Sequence, residues 1–205
     1  MTILNKIFSK LNSKNIVYDD NFFQENWFSS WGVLKDILCE LIQSRPEWKS
    51  IFDFGCGPGI MIDHMNKLGY KYIGCDYSNE AHGLYLKHYG EFLSSYVKNL
   101  DEISSDKFDV FIAFDVFEHM TDDEILSVLN KLKSIPQLFL NISRTRGIPG
   151  HINLKSDKRW ISFFEANGYQ FELKQTETIR NLYKKISTGR LDMWNKNMFI
   201  FSKKG

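Results

Sequence analysis

Several things are scarce in this chain, and each scarcity closes off an architecture. Cysteine appears as Cys39, Cys56 and Cys75 only, with no CxxC spacing. An odd count cannot complete a disulfide framework, so a reduced, cytoplasmic setting is the expectation. No apolar run nears the ~20 residues that span a bilayer, so no stable membrane insertion is expected. The opening stretch MTILNKIFSKLNSKN is too broken for a secretory signal. An excess of one charge is missing too: 26 Lys and Arg stand against 25 Asp and Glu. The basic residues are scattered, which gives no global footprint for DNA. Proline occurs four times and low-complexity linkers are absent. No domain boundary is placed, and residues 1–205 are read as one domain.

What is present is an ordinary globular composition, 43% hydrophobic and 25% charged. It is rich enough in aromatics (15%) to line a pocket as well as a core. Ile3, Leu4, Ile7, Phe8 and Leu11 form a helical stripe, expected to cover part of the domain's own surface. With Phe22, Phe23, Trp27, Phe28 and Trp31, and a helical pattern from Leu34 to Ile42, residues 1–45 read as a helical cap. Pro46 closes it.

From there the periodicity predicts a strand over Ser50–Phe54, a helix over 60–68 and a strand over 70–75. Ser78 is placed to cap the next helix. A weaker strand follows near 95–98, then the almost uninterrupted apolar run 108–114, typical of a strand buried on both faces. A helix over 122–134, a strand over 137–142 and a helix over 156–167 come next, with Gly168 in the role glycine suits after a helix. Two final strands fall near 169–175 and 197–202, with an unassigned polar stretch between them. The alternation predicts an α/β, Rossmann-like three-layer sandwich: a mostly parallel seven-stranded sheet with an antiparallel edge hairpin. Ligands of such sheets bind beyond the carboxyl ends of the strands, here after residues 54, 75, 98, 114 and 142.

The strongest local signal is Asp53-Phe-Gly55-Cys56-Gly57-Pro-Gly59, between a strand and a helix. Glycines at alternate positions permit positive φ and bring backbone close to a ligand. The spacing departs from the GxGxxG of dinucleotide sites, and an acid two residues ahead of the first glycine would repel a pyrophosphate. That acid suits a cationic ligand. Asp76 lies 17 residues beyond Gly59, ending the next strand in Gly74-Cys75-Asp76-Tyr77-Ser78. An acid there can accept both hydroxyls of a ribose, with Tyr77 against the base.

These motifs resemble those of class I S-adenosylmethionine (SAM)-dependent methyltransferases. IFDFGCGPG matches the first motif, YIGCDYS the second and FDVFIAFDVFEHM the fourth-strand motif, across roughly residues 45–145. The resemblance implies SAM as cofactor. Asp53 and the Gly55–Gly59 turn, Cys56 included, would surround its methionine part, with Asp76 on its ribose and Asp115 or Val116 beside the sulfonium. Where the family often has an acid facing the adenine, this chain has Asn99-Leu100. That contact stays open between the Asn99 side chain and a backbone group. The segment HINLKSDKRWISFFEANGY is similar, more loosely, to bacterial methyltransferases of sugars and surface-glycan precursors.

A hydroxyl acceptor needs a base near the ends of strands four and five. Glu118 and His119 form an EH pair that resembles small-molecule members, including those acting on quinone precursors. His151, in a Gly/Pro-rich loop, has the titration range of a base at neutral pH. His119 and His151 are both candidates. Arg144 and Arg146 could clamp an anionic acceptor or pair with surface acids. Trp27 and Trp31, at i, i+4, are candidates for a lid, whereas Trp160, Phe163 and Phe164 read as core.

The expected activity is methylation of a small molecule, a sugar or glycan-precursor hydroxyl. A protein or RNA methyltransferase and a non-catalytic SAM-binding module stand as alternatives, with an NAD-dependent oxidoreductase behind them. No Asn/Asp-Pro-Pro-aromatic tetrad follows strand four, and no proline-preceded cysteine is present, so DNA methylation is not expected. Asn141-Ile142 stands where a catechol-type metal site would have Asp-Asn, so no metal is expected.

Overall fold

The computed structural model describes residues 32–104, 108–187 and 192–205. The N-terminal stripe and the Trp27–Trp31 pair lie outside the described residues. The described chain begins with α1 (Gly32–Gln43), followed by β1 (Ser50–Phe54), α2 (Ile60–Lys67), β2 (Lys71–Cys75) and α3 (Asn79–His88). Then come β3 (Tyr96–Val97), β4 (Val110–Phe114), α4 (Asp122–Lys131), β5 (Gln137–Asn141) and α5 (Asp157–Ala166). The chain ends through β6 (Tyr169–Phe171), α6 (Leu173–Ile186), α7 (Asp192–Lys196) and β7 (Met198–Lys203). The seven strands pair in the order β3-β2-β1-β4-β5-β7-β6. β1 runs parallel to β2 and β4, and β2 parallel to β3. β7 is antiparallel to both β5 and β6. This is the mixed Rossmann-like sheet with an antiparallel edge that the alternation of elements predicted.

The chain divides into two compact units, the described parts of which fall within 17–112 and 113–205. In the first, one polar side chain fixes where β2 begins. Asn66, on α2, donates to the Ile62 and Tyr72 carbonyls, both at 2.8 Å, and accepts from the Tyr72 amide at 3.2 Å. Asp109 does similar work at the start of β1, accepting from the amides of Lys49 and Ser50 at 2.8 and 2.7 Å. Trp48, Phe52, Tyr72 and Met65 are buried in this unit.

In the second unit α5 presents Trp160 and Phe164, both fully buried, as the helical spacing foretold. The Phe164 ring centroid is 4.6 Å from that of Phe201 on β7. Phe163 is only half-buried. Thr121 closes a capping box with Glu124 at the start of α4, and Ser156 caps α5. Ser78 caps α3 as expected.

The stretch between the last two strands is where the sequence reading needs correction. Residues 173–175, read as the end of a strand, open helix α6, and α7 follows before β7. The reason is a sparse helical stripe: only Thr176, Ile179 and Tyr183 are buried, and the remainder of the helix is mostly polar or charged. Thr176 Oγ1 accepts from the Ile200 amide at 2.9 Å, tying α6 to β7.

Replacing Phe164 by alanine should cost about 3–5 kcal/mol, the range for emptying a fully buried aromatic site. Urea unfolding monitored by far-UV circular dichroism measures it. A loss below about 1 kcal/mol would mean that this ring is not the core residue described.

Candidate functional site

Within residues 17–112, the glycine turn is drawn to the end of β2 by two amides. Gly55 and Cys56 donate to the Cys75 carbonyl at 2.8 and 3.3 Å. Gly55, Gly57 and Gly59 all have positive φ (78°, 53° and 72°), a region that side chains disfavour. At Gly59 a Cβ would also lie 2.6 Å from the Tyr85 ring. The turn then serves Asp76. Gly57 donates to Oδ2 and Ser78 to Oδ1, each at 2.9 Å. Burial raises the Asp76 carboxyl above its ordinary range, while the amides of Ser78, Gly57 and Tyr77 pull it back down. The side chain stays partly accessible. Three amides do not exhaust the roughly four lone-pair sites of a carboxylate, so Asp76 can still accept a hydroxyl.

Asp53 sits deeper, 7% exposed, and its Oδ2 accepts from the Tyr72 hydroxyl at 2.8 Å. Its carboxyl is pushed up to about 7, chiefly by burial; the Tyr72 bond opposes this and the Asp76 charge adds to it. Cys56 is buried and unoxidised, and a Cβ on Gly74 would come within 2.7 Å of its sulfur. It packs the turn against β2. Asn99 caps a short turn through Leu100–Glu102, its Oδ1 accepting from the Asp101 amide at 3.0 Å, and Leu100 is buried. Tyr77 is half-buried beside Asp76.

Three tyrosines were not foreseen. Besides Tyr72, Tyr96 donates to the Gly57 carbonyl at 2.9 Å, and its ring lies 4.8 Å from that of Tyr85. Tyr85 in turn donates to Asp63 Oδ1 at 2.9 Å. In the sequence they read only as apolar positions of strands and a helix. Their hydroxyls carried no separate signal.

The unit from 113 onward gathers a second cluster. Asp115 follows β4 directly and holds φ at 53°, the one non-glycine residue with positive φ among those described. Such strained backbone concentrates at functional sites. Its amide donates to the Asn141 carbonyl at 2.9 Å, and the Trp194 indole donates to its carboxyl. Val116 starts the short turn Phe117–His119, which carries the EH pair. Glu118 is fully buried, and its Oε1 accepts from the Ser143 amide at 3.0 Å. Burial raises the Asp115 and Glu118 carboxyls above their ordinary range; the Asp115 charge raises Glu118 further, whereas hydrogen bonds to Glu118 and Trp194 hold Asp115 back. Asp115 reaches about 7.

The loop after β5 returns to this turn. The Glu118 carbonyl accepts from both the Ile152 and Asn153 amides, at 2.9 and 3.0 Å. His151 is thereby set against His119, ring centroids 4.7 Å apart and nearly perpendicular. His151 Nδ1 lies 3.0 Å from the Thr145 carbonyl, where only its N–H form can bond. His119 bonds to the Gly150 backbone. Burial lowers both imidazoles, and that of His119 drops to about 4 with the help of His151. Both are neutral at pH 7.

Arg144 and Arg146 part company. Arg144 pairs with Asp157 and donates to Asn197 Oδ1 at 3.2 Å and to the Lys196 carbonyl at 3.4 Å. Arg146 is exposed on the loop.

Residues 23–135 match the family described as "Methyltransferase domain", more than half of the chain. The chain belongs to that family. It is 29% identical over 131 residues to a ubiquinone biosynthesis O-methyltransferase of Actinobacillus pleuropneumoniae serotype 7 (strain AP76), covering 55% of each. The chain thus spans about half the length of the curated relatives it matches. Among solved structures it is similar to magnesium protoporphyrin IX methyltransferase of Synechocystis PCC 6803 with bound SAM. That match has a TM-score of 0.56 and 15% identity, and covers 100% of this chain and 92% of the other. It also resembles the sugar N-methyltransferase KedS8 of Streptoalloteichus sp. ATCC 53650, with a TM-score of 0.61, 10% identity and coverage of 93% and 94%. These likenesses show the fold. SAM is the cofactor of the family.

The position of Asp53 can be tested without any ligand. Its native carboxyl titrates near 7 and its unfolded one near 4, so between those values the native state holds the extra proton. Stability is therefore full below about pH 4 and declines as the pH rises to about 7. The variant Asp53→Asn lacks this term. Its stability relative to the parent should climb across that window and level off above it, as read by urea unfolding at a series of pH values. A difference that stays constant with pH would place Asp53 in solvent.

Proposed function

We propose that this chain transfers a methyl group from SAM to a small-molecule acceptor, a hydroxyl of a sugar or glycan precursor. The observation that carries the reading is the Asp76 carboxylate, held by the Gly57 and Ser78 amides where β2 ends. An acid so fixed, with acceptor capacity left beyond its amide contacts, fits the hydroxyl edge of a ribose. Asp53, an acid buried beside the glycine turn, fits an ammonium group, which would draw it into its charged form. In this reading Gly55, Cys56, Gly57 and Gly59 shape the wall for the methionine part. Tyr77, Asn99 and Leu100 serve the adenine, and Asp115 and Val116 the sulfonium side. SAM supplies a methyl group already activated on sulfur, so the protein has to orient the acceptor, exclude water and take up a proton.

His151 suits the last task. Its Nδ1 is engaged by the Thr145 carbonyl, which leaves the Nε2 lone pair to receive a proton, and lowering by burial keeps it neutral at pH 7. His119 supports it through the ring contact. Arg146, exposed on the same loop, is the arginine placed to meet an anionic acceptor, since Arg144 is tied into the fold. Oxygen as the accepting atom is favoured by the curated relative's name and by the need for a base that the histidines imply. A sugar is favoured by the segment from His151 to Tyr169 and by the presence of a sugar N-methyltransferase among the structural neighbours. The lid role of Trp27 and Trp31 remains part of this proposal, as does a cytoplasmic location.

Two measurements test it. Asp76→Ala should weaken binding of S-adenosylhomocysteine at least tenfold, since each hydrogen bond to a charged acceptor is worth about 1.5–3 kcal/mol. Calorimetry showing the parent's affinity would remove Asp76 from the site. His151→Ala should lower turnover by about 10²–10⁴-fold while leaving cofactor affinity intact. The assay follows label from SAM into acceptors of a cell extract. Label that disappears on protease or nuclease digestion would move the acceptor from small molecule to macromolecule.

A further inference from the structure

The Glu118–His119–His151 cluster is rich in acceptors and short of cations. One ligating atom from each side chain lies within 4.8 Å of the others. Glu118 Oε2 and Oδ1 of neighbouring Asp115 are buried, and among the described residues no N–H or hydroxyl donor reaches either; the two carboxyls are within hydrogen-bonding reach of each other, which satisfies them only if they share a proton. The ion pairs among described residues include neither acid. A buried carboxylate oxygen with no donor is costly unless a proton or a metal ion satisfies it. The surroundings also hold each ligand as a metal site requires. Glu118 Oε1 is fixed by the Ser143 amide, and His151 Nδ1 by the Thr145 carbonyl, which leaves Nε2 as the ring nitrogen with a free lone pair. His119 is oriented by the Gly150 backbone.

We propose that Glu118, His119 and His151 form a site for one divalent transition-metal ion of the zinc or cobalt kind. Two imidazoles and one carboxylate are a familiar ligand set for such ions, and they leave coordination positions open. The sequence reading expected no metal because it looked for an Asp-Asn pair directly after β5. The ligands here are split between the turn after β4 and a loop ten residues past β5. The existence of the site is independent of the proposed activity. Its consequence rests on that activity: an acceptor hydroxyl bound at an open position would become more acidic, releasing its proton to water at neutral pH. The histidines would then act as ligands, and His151 would assist deprotonation through the ion.

Cobalt(II) chloride, added to the full chain without SAM or acceptor, is the probe. A visible absorption band should rise, saturate at one ion per chain and vanish on addition of zinc. Glu118→Gln, His119→Ala and His151→Ala should each weaken uptake by about tenfold or more. Circular dichroism and S-adenosylhomocysteine binding confirm that each variant is folded. His151→Ala is the decisive variant because it alters a loop residue that is only half-buried. No band in the folded parent, or a band unchanged in folded His151→Ala, would overturn the site. Cobalt uptake without methyl transfer to any acceptor would support the site and overturn the proposed function. Methyl transfer at full rate in the presence of a chelator would overturn the ion's part in it.

Discussion

Gly57 is held from both sides of its peptide unit, and the first compact unit takes its functional shape from that. Its amide donates to Asp76 and its carbonyl accepts from Tyr96. A turn with three residues at positive φ has no repeating hydrogen-bond ladder of its own, so its geometry has to be imposed by neighbours. The acid does so at the end of one strand and the tyrosine does so from the next. Asp76 is thus oriented before any ligand arrives, which spares binding the cost of ordering it.

The second unit is governed by a different constraint, the burial of ionisable groups. Burial raises the acids Asp115 and Glu118 and lowers the bases His119 and His151. Both effects have one cause: the low-dielectric surroundings disfavour charge of either sign. Four polar side chains with little net charge can sit together in such a place. A single cation, delivered by an incoming molecule or an ion, would change the balance for all of them at once.

The order of strands and helices was legible because hydrophobic period and capping residues are local. Ser50–Phe54, the apolar run ending at Phe114, and the cap Ser78 fall where periodicity and hydrogen-bonding side chains demand. The glycine turn and Asp76 were legible for a related reason: their spacing is itself the chemistry. What escaped was long-range. Helix α6 buries only a thin stripe, so its charged surface masked its period. Tyr72, Tyr85 and Tyr96 act through hydroxyl contacts to residues 19, 22 and 39 positions away. The Glu118-His119 pair and His151 were noticed, but apart from each other. Only the return of the loop past β5 brings the three within reach of one point.

That return is secured by the main chain at position 118, whose carbonyl accepts two successive amides from Ile152 and Asn153. The tether does not depend on which side chain residue 118 carries, nor on what lies between Arg146 and Gly150. Exposed loop tips tolerate change in length and composition. Relatives of this protein could therefore lengthen or recolour that tip to suit different acceptors while the anchored histidine keeps its station, so substrate range and chemistry can drift apart on one loop.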